Sequence, residues 1–253
     1  SNPVESDNTT AYTVPNPLKP SIIDPDRTSP TGNLSNRGPR RIITKGENAV
    51  TPIRSEEGLT KGIIFYTDNR LPLKIARAVQ KQLRKISKDK GIPIVSSSLK
   101  PMSHFGALNI HFPELAPGYL TMFRQILAAI ENSTTDIIYF CEHDILYSPS
   151  HFDFTPIKKD FFYYNQNFWK LRVEDGHALH FDANQLNGMS CYRELALEEY
   201  RKRVQIVEKE GYRRNMGFEP GTHSKKWDSY KSEVPIIDIR HKDNLTKNRW
   251  NID

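Results

Sequence analysis

Asp136-Ile137-Ile138-Tyr139-Phe140-Cys141-Glu142-His143-Asp144 is the stretch that decides the fold. Its apolar core, Ile137 to Cys141, is unbroken, as in a strand of a parallel sheet covered on both faces. Three polar residues, two of them acidic, follow at once, and they are costly unless the chain leaves the core there. Upstream, Gly62-Ile63-Ile64-Phe65-Tyr66-Thr67 makes a second such strand, with Asp68-Asn69 as its turn. Pro72 then opens a helix in which Ala76, Val79, Leu83 and Ile86 recur at three- and four-residue spacing, with Lys and Arg outside. Gly91 ends it and Ile92-Pro93-Ile94-Val95 gives another strand, so the unit is strand–helix–strand with a parallel pair. A loop is expected over 96–116. The clearest helix follows, from Pro117 to Asn132, with Tyr119, Leu120, Phe123, Ile126, Leu127 and Ile130 on one face. Downstream lie aromatic strand-like pieces at 152–154 and 161–164, a helix from about Cys191 to Lys209, and a last strand over 234–240. The order predicts an α/β domain with a mixed sheet and flanking helices over residues 59–253.

Residues 1–58 differ. They hold eight of the 17 prolines, and Pro15, Pro17, Pro20, Pro25 and Pro30 interrupt any helix or central strand. An extended N-terminal arm is expected, with Arg37, Arg40 and Arg41 as a basic turn open to solvent or to phosphates. The chain has 253 residues, 36 basic against 30 acidic, for a formal charge of +6 and a pI near 9.2. That balance suits an anionic partner such as a nucleotide, a nucleic acid or an acidic membrane surface, and does not choose among them. No apolar run approaches the roughly 18 residues of a membrane span. Cys141 and Cys191 cannot build a disulfide scaffold and read as buried thiols, which implies a reducing, cytoplasmic setting.

In parallel α/β sheets the carboxyl ends of the strands face the ligand crevice. Glu142 and Asp144 are two apart, so in extended chain they point the same way. Two carboxylates converging there repel unless a cation joins them, and a divalent metal that also binds phosphate oxygens resolves the conflict. The plainer alternative is a solvated acidic turn.

From residue 62 to about 250 the sequence resembles the GT-A class of nucleotide-sugar-dependent glycosyltransferases. The resemblance is carried by an ordered series of features: Tyr66-Thr67-Asp68-Asn69, Glu142-His143-Asp144, Leu186-Asn187-Gly188-Met189-Ser190, Gly217-Phe218-Glu219 and Ile239-Arg240-His241-Lys242. It implies a GT-A-like (Rossmann-like) fold and a donor site in which Thr67, Asp68 and Asn69 meet the nucleoside. Glu142 and His143 join that site, and Arg240 and Lys242 meet the diphosphate. It implies a metal, Mn²⁺ or else Mg²⁺, held by Asp144 and His241. Asn187, Gly188 and Met189 fall on the acceptor side. Glu142 stands where the class usually has Asp, a methylene longer, which suits ribose or a metal-bound water better than direct ligation.

An inverting transfer needs a base for the acceptor proton. Glu219 is the candidate by resemblance and Asp182, in His180-Phe181-Asp182, by local context; the pair Glu174-Asp175 is a third choice. Of the aromatic block Phe161-Phe162-Tyr163-Tyr164, Phe168-Trp169, most reads as core, and Trp169 as the residue at a pocket. Asp68-Asn69 is also an ordinary turn pair, and His241 after a strand is also an ordinary exposed turn residue. The expected reaction is transfer from a UDP-linked sugar to a glycan or to a modified DNA base. Two rivals stand beside it. A nucleotidyltransferase would want a glycine-rich loop after the first strand, which Asp68-Asn69-Arg70-Leu71-Pro72 lacks; a non-catalytic nucleic-acid-binding protein would use the basic arm.

Overall fold

The computed structural model describes residues 38–240. In chain order the elements are β1 (Ile42–Lys45), β2 (Lys61–Thr67), α1 (Leu73–Lys90), β3 (Ile94–Ser98), β4 (Leu108–His111), α2 (Tyr119–Glu131), β5 (Ile137–Glu142) and β6 (Ile145–Leu146). There follow β7 (Phe162–Asn165), β8 (Phe168–Arg172), β9 (Ala178–His180), β10 (Met189–Tyr192), α3 (Arg193–Glu210), β11 (Trp227–Tyr230) and β12 (Ile236–Arg240). The expected α/β class with a mixed sheet is the one observed.

Eight strands form the main sheet in the order β1-β4-β3-β2-β5-β10-β7-β11. The strands β2, β3, β4 and β5 run parallel, β10 is antiparallel to both β5 and β7, and β11 is parallel to β7. One edge therefore collects the carboxyl ends of β2, β3, β4, β5, β7 and β11, which is where α/β sheets place ligands. The strict alternation of a strand's two faces explains the two cores. Ile64, Tyr66, Ile138 and Phe140 point to the face covered by α2 and α3. Ile63, Phe65, Ile137, Tyr139 and Cys141 point to the other, covered by α1 through Val79, Leu83 and Ile86.

α1 ends as its sequence dictates. Gly91 adopts φ 62°, a left-handed conformation that glycine enters without a Cβ penalty, and its N–H and that of Ile92 cap the Ser87 carbonyl.

A second, four-stranded sheet, in the order β6-β12-β8-β9, was not legible in the sequence. Its residues Ile145, Phe168, Ile236 and Ile239 join the α1-side core. β12 pairs antiparallel with β6 and parallel with β8, so the chain's late strand is delivered beside the segment that leaves β5.

Several sequence expectations are corrected. Residues 42–45, inside the stretch read as an arm, form an edge strand on β4. Residues 1–37, the rest of that arm, lie outside the described residues. The 96–116 loop contains β4, and residues 152–154 are not a strand, since Pro149–Phe152 is a short 3-10 helix. Cys191 belongs to β10 rather than to the following helix. Both cysteines are fully buried and burial pushes their thiols upward. Phe162, Tyr163, Tyr164 and Phe168 are core, as expected. Among the described residues no helix is long and apolar enough to cross a membrane.

Candidate active site

The register between β2 and β5 sets Tyr66 beside Glu142, so Thr67-Asp68 and His143-Asp144 leave the sheet as neighbours. Thr67 Oγ1 lies 2.6 Å from His143 Nδ1 and accepts the Asn69 N–H at 3.0 Å. Thr67 Oγ1 and His143 Nδ1 share one hydrogen bond, whose direction the ring tautomer sets. Burial lowers the His143 pKa, so the ring is neutral. Asp68, 15% exposed, is gripped by Arg70 through Nε at 2.8 Å and Nη2 at 2.7 Å. Its burial raises the carboxyl pKa, but the hydrogen bonds from Arg70 outweigh that and hold it below the ordinary value. Asn69 is the turn's left-handed residue, at φ 60°. Its side-chain oxygen accepts the N–H groups of Leu99 and Lys100, both at 2.9 Å, tying the end of β2 to the end of β3. Asn69 thus shapes the site wall.

Asn187 joins the same place from the antiparallel side. Ser190 pairs with Tyr139, so Asn187, three residues earlier, stands level with Glu142. Tyr147 clamps the two together: its hydroxyl accepts the Glu142 N–H at 3.0 Å and donates to the Asn187 carbonyl at 2.9 Å. Gly188 suits this position, because a Cβ would stand in tight contact with the Asn165 carbonyl oxygen, at 3.0 Å.

Three carboxylates gather around this point. Glu142 receives the Tyr66 hydroxyl at 2.6 Å, and burial together with the nearby Asp144 charge pushes it up to about 8. Asp238, which the sequence reading placed in a strand without a role, is brought in by the second sheet. It pairs in register with Ile145, and the next residue, Ile239, donates its N–H to the Asp144 carbonyl at 2.9 Å. Burial and the Asp144 charge raise Asp238 to about 6. Asp144 itself is 8% exposed. Arg240, one strand repeat beyond Asp238 on the same face, sets its Nη1 3.3 Å from the Asp238 carboxylate. Lys170 lies opposite Asp238 on β8. Asp238 therefore has cations as neighbours both along its own strand and across on β8. A residue like Asp238 has no sequence signal of its own, because only the pairing of β12 with β6 makes it a neighbour of Asp144.

The remaining candidates separate. Glu219 sits on the α2/α3 side, half-buried, and burial raises its pKa. Its loop is fixed by Arg203, whose Nη1 donates to the carbonyls of Gly217 at 2.8 Å and Phe218 at 3.1 Å while Nε holds Glu199 at 2.7 Å. Asp182 is exposed and paired with Lys231 at 2.9 Å, which keeps its proton affinity low. Asp175 is tied to Arg172 and held down to about 2. As a proton acceptor Glu219 is the strongest of these carboxylates, because the others are weakened as bases by their cations. Trp169 stands on β8, 37% exposed, stacked on His180 at 5.2 Å. It belongs to an inner strand of the second sheet, flanked by β12 and β9. Met189 is fully buried in the α2/α3-side core, so it supports the site from below. His241 and Lys242 lie outside the described residues.

Among the described residues no group of three or more His, Cys, Asp and Glu side chains is gathered closely enough to hold a metal ion by itself. The donor chemistry still fits a hard divalent cation. Asp144 and Asp238 offer oxygen ligands, and their mutual repulsion, visible in the raised Asp238 and Glu142, falls when positive charge arrives.

Neither a protein-family model nor a curated protein sequence matches the chain. Among solved structures, a glycosyltransferase involved in the glycosylation of the major capsid of PBCV-1 is similar with a TM-score of 0.44 at 10% identity, over 70% of this chain and 91% of that one. The apo form of the glycosyltransferase GlyE of Streptococcus pneumoniae TIGR4 gives 0.40 at 12% identity, over 68% of this chain and 45% of that one. A second GlyE structure gives 0.38 at 11%, over 67% and 44%. The chain thus spans less than half the length of GlyE. Both proteins are glycosyltransferases, the class named by the sequence resemblance. The functional reading rests on the site and not on these likenesses.

Proposed function

We propose that the protein transfers a sugar from a nucleotide-sugar, UDP-linked by preference, to a hydroxyl acceptor on a glycan or a modified DNA base. The observation that carries this is the crowding of Glu142, Asp144 and Asp238 at the carboxyl edge of the central strands, beside the Thr67-Asp68-Asn69 turn. Three mutually repelling, largely desolvated acids are a poor way to stabilise an apoprotein. They make sense where a divalent cation and a diphosphate are bound together.

In this reading Asp144 and Asp238 would hold the cation. When bound, Mn²⁺ or Mg²⁺ supplies Lewis-acid stabilisation of the departing diphosphate. Arg240 adds a fixed positive charge there. The Thr67–His143 pair and Asp68 orient the nucleoside, and Asn187 with Gly188 lines the acceptor side. The bond from the anomeric carbon to the diphosphate oxygen breaks with its electron pair going to the diphosphate. The acceptor oxygen bonds to that carbon as Glu219 takes its proton.

Thermal unfolding with a panel of nucleoside diphosphates, each with and without Mn²⁺, tests the donor class. The expected result is a cation-dependent rise for one nucleotide, of the size that site saturation gives: about 2.7 kcal/mol at a hundredfold excess over Kd. No rise for any nucleotide, with or without the cation, overturns the reading.

A further inference from the structure

The positive charge of this chain is concentrated on one helix. α1 carries seven Lys or Arg residues and a single acid, Asp89, a balance of +6 that equals the formal charge of the whole chain. α3, of the same length, carries five basic and five acidic residues and balances to zero. The difference lies also in placement. Lys74, Arg77, Lys81, Lys85 and Lys88 follow one another at three- and four-residue steps, so they stand in a single row. All five are exposed, and the row is about 21 Å long at 1.5 Å per residue.

A solvated helix face mixes its signs, as α3 does where Lys202 reaches Glu198 at 2.6 Å, one turn away. On the α1 row only Lys85 has such a partner, Asp89 at 2.5 Å, and among the described residues the other four cations make no ion pair. Like charges at this spacing destabilise a helix unless something opposite lies near. The apolar side of α1 is committed to the core through Val79, Leu83 and Ile86, so the row is what the protein presents outward.

We propose that this face of α1 is a docking surface for an anionic lipid bilayer. A straight row of exposed cations matches a flat, diffuse anionic plane. It contains no aromatic side chain on which a nucleobase would stack, which a single-stranded nucleic acid would use. Beside Lys74 stands Leu73, 62% exposed, an apolar group suited to the headgroup boundary. The helix begins just after Asp68-Asn69-Arg70, so its leading end lies at the edge of the sheet that carries the acidic site. Docking through α1 would bring that edge to the bilayer surface, where a lipid-borne substrate is met. The inference does not depend on glycosyl transfer, since it rests on the charge row alone.

Flotation of the full chain with vesicles tests it. The vesicles are phosphatidylcholine alone, or an equimolar mixture with phosphatidylserine. Binding is expected only to the mixture and is expected to fall steeply with salt. A cation at an anionic surface contributes a factor of about five to partitioning. The variant with Lys74→Gln, Arg77→Gln, Lys81→Gln and Lys88→Gln should therefore bind on the order of 600-fold more weakly. A charge-matched variant on α3 and the segment just after it, with Arg201→Gln, Lys202→Gln, Lys209→Gln and Arg213→Gln, should lose far less. Circular dichroism and Tm check that both variants fold. Equal losses in the two variants, or no binding to the mixed vesicles, overturn the proposal. Tight binding of a duplex DNA probe that is lost with the α1 row, while vesicles are ignored, overturns it in favour of nucleic acid. In each of these cases the nucleoside diphosphate shift would stand, which keeps the two readings separable.

Discussion

Tyr66 and Glu142 face each other across β2 and β5, and the phenol donates to the carboxyl at 2.6 Å from the α2/α3-side core. One wall of the acidic site is thereby fixed from inside the fold. Tyr66→Phe removes the donor and leaves a buried oxygen unsatisfied. A loss of about 1–3 kcal/mol in urea unfolding is expected.

Stability without added cation should depend on pH in a stated direction. Glu142 is raised to about 8 in the folded chain from an ordinary 4.5. Between those values the folded state holds a proton that the unfolded state has released, so stability falls as pH rises. The contribution is complete below about pH 4.5 and gone above about pH 8. Tm measured in steps from pH 5 to 8 in the presence of a chelator should fall, and Glu142→Gln should flatten that fall. A Tm that climbs over the same range would contradict the burial argument.

Asp144→Asn and Asp238→Asn should act in opposite directions on the two forms. Each removes a like charge from the cluster, so the cation-free protein should gain Tm at pH 8. Each should also remove most of the cation-dependent nucleotide stabilisation, with Asp144→Asn the more severe. Scanning calorimetry of both variants with and without Mn²⁺ and the active nucleotide reads both effects.

Arg203 is 5% exposed at its side chain and holds both Glu199 and the carbonyls before Glu219. Arg203→Met strands those partners. Breaking a buried pair from one side costs about 3–5 kcal/mol, and a drop in Tm of roughly 6–20 °C follows for a chain of this size. Arg203→Lys should recover part of the stability but little turnover, because a point charge cannot serve two carbonyls and a carboxylate as the planar fork does.

The parts of the fold that were legible in the sequence are those with local signatures. The runs 62–67 and 137–141 are too apolar to be anything but buried strands, and α1 and α2 show their helical period directly. Thr67-Asp68 and Glu142-His143-Asp144 could be put at one sheet edge because both follow such runs. Asp238 could not, since it becomes a neighbour of Asp144 only through pairing across nearly a hundred residues. β1 was hidden because Ile42-Ile43-Thr44-Lys45 is a short edge strand with one exposed face and too few residues to show alternation. Asn69 was read as a nucleoside contact, while its oxygen turns out to be spent on the β3 loop, a role that depends on the next strand's position. The charge row was in view as Lys and Arg on the outer face of a helix. What the structure adds is that the partners which neutralise α3 are missing there.

The sealed state of Cys141 and Cys191 gives the chain a practical advantage. Both thiols are at 0% exposure and are pushed away from the reactive thiolate form. A single new cysteine at an exposed position such as Gln205 would then be the only site open to a maleimide dye. Fluorescence at that one point could report ligand and surface encounters in the otherwise unaltered protein.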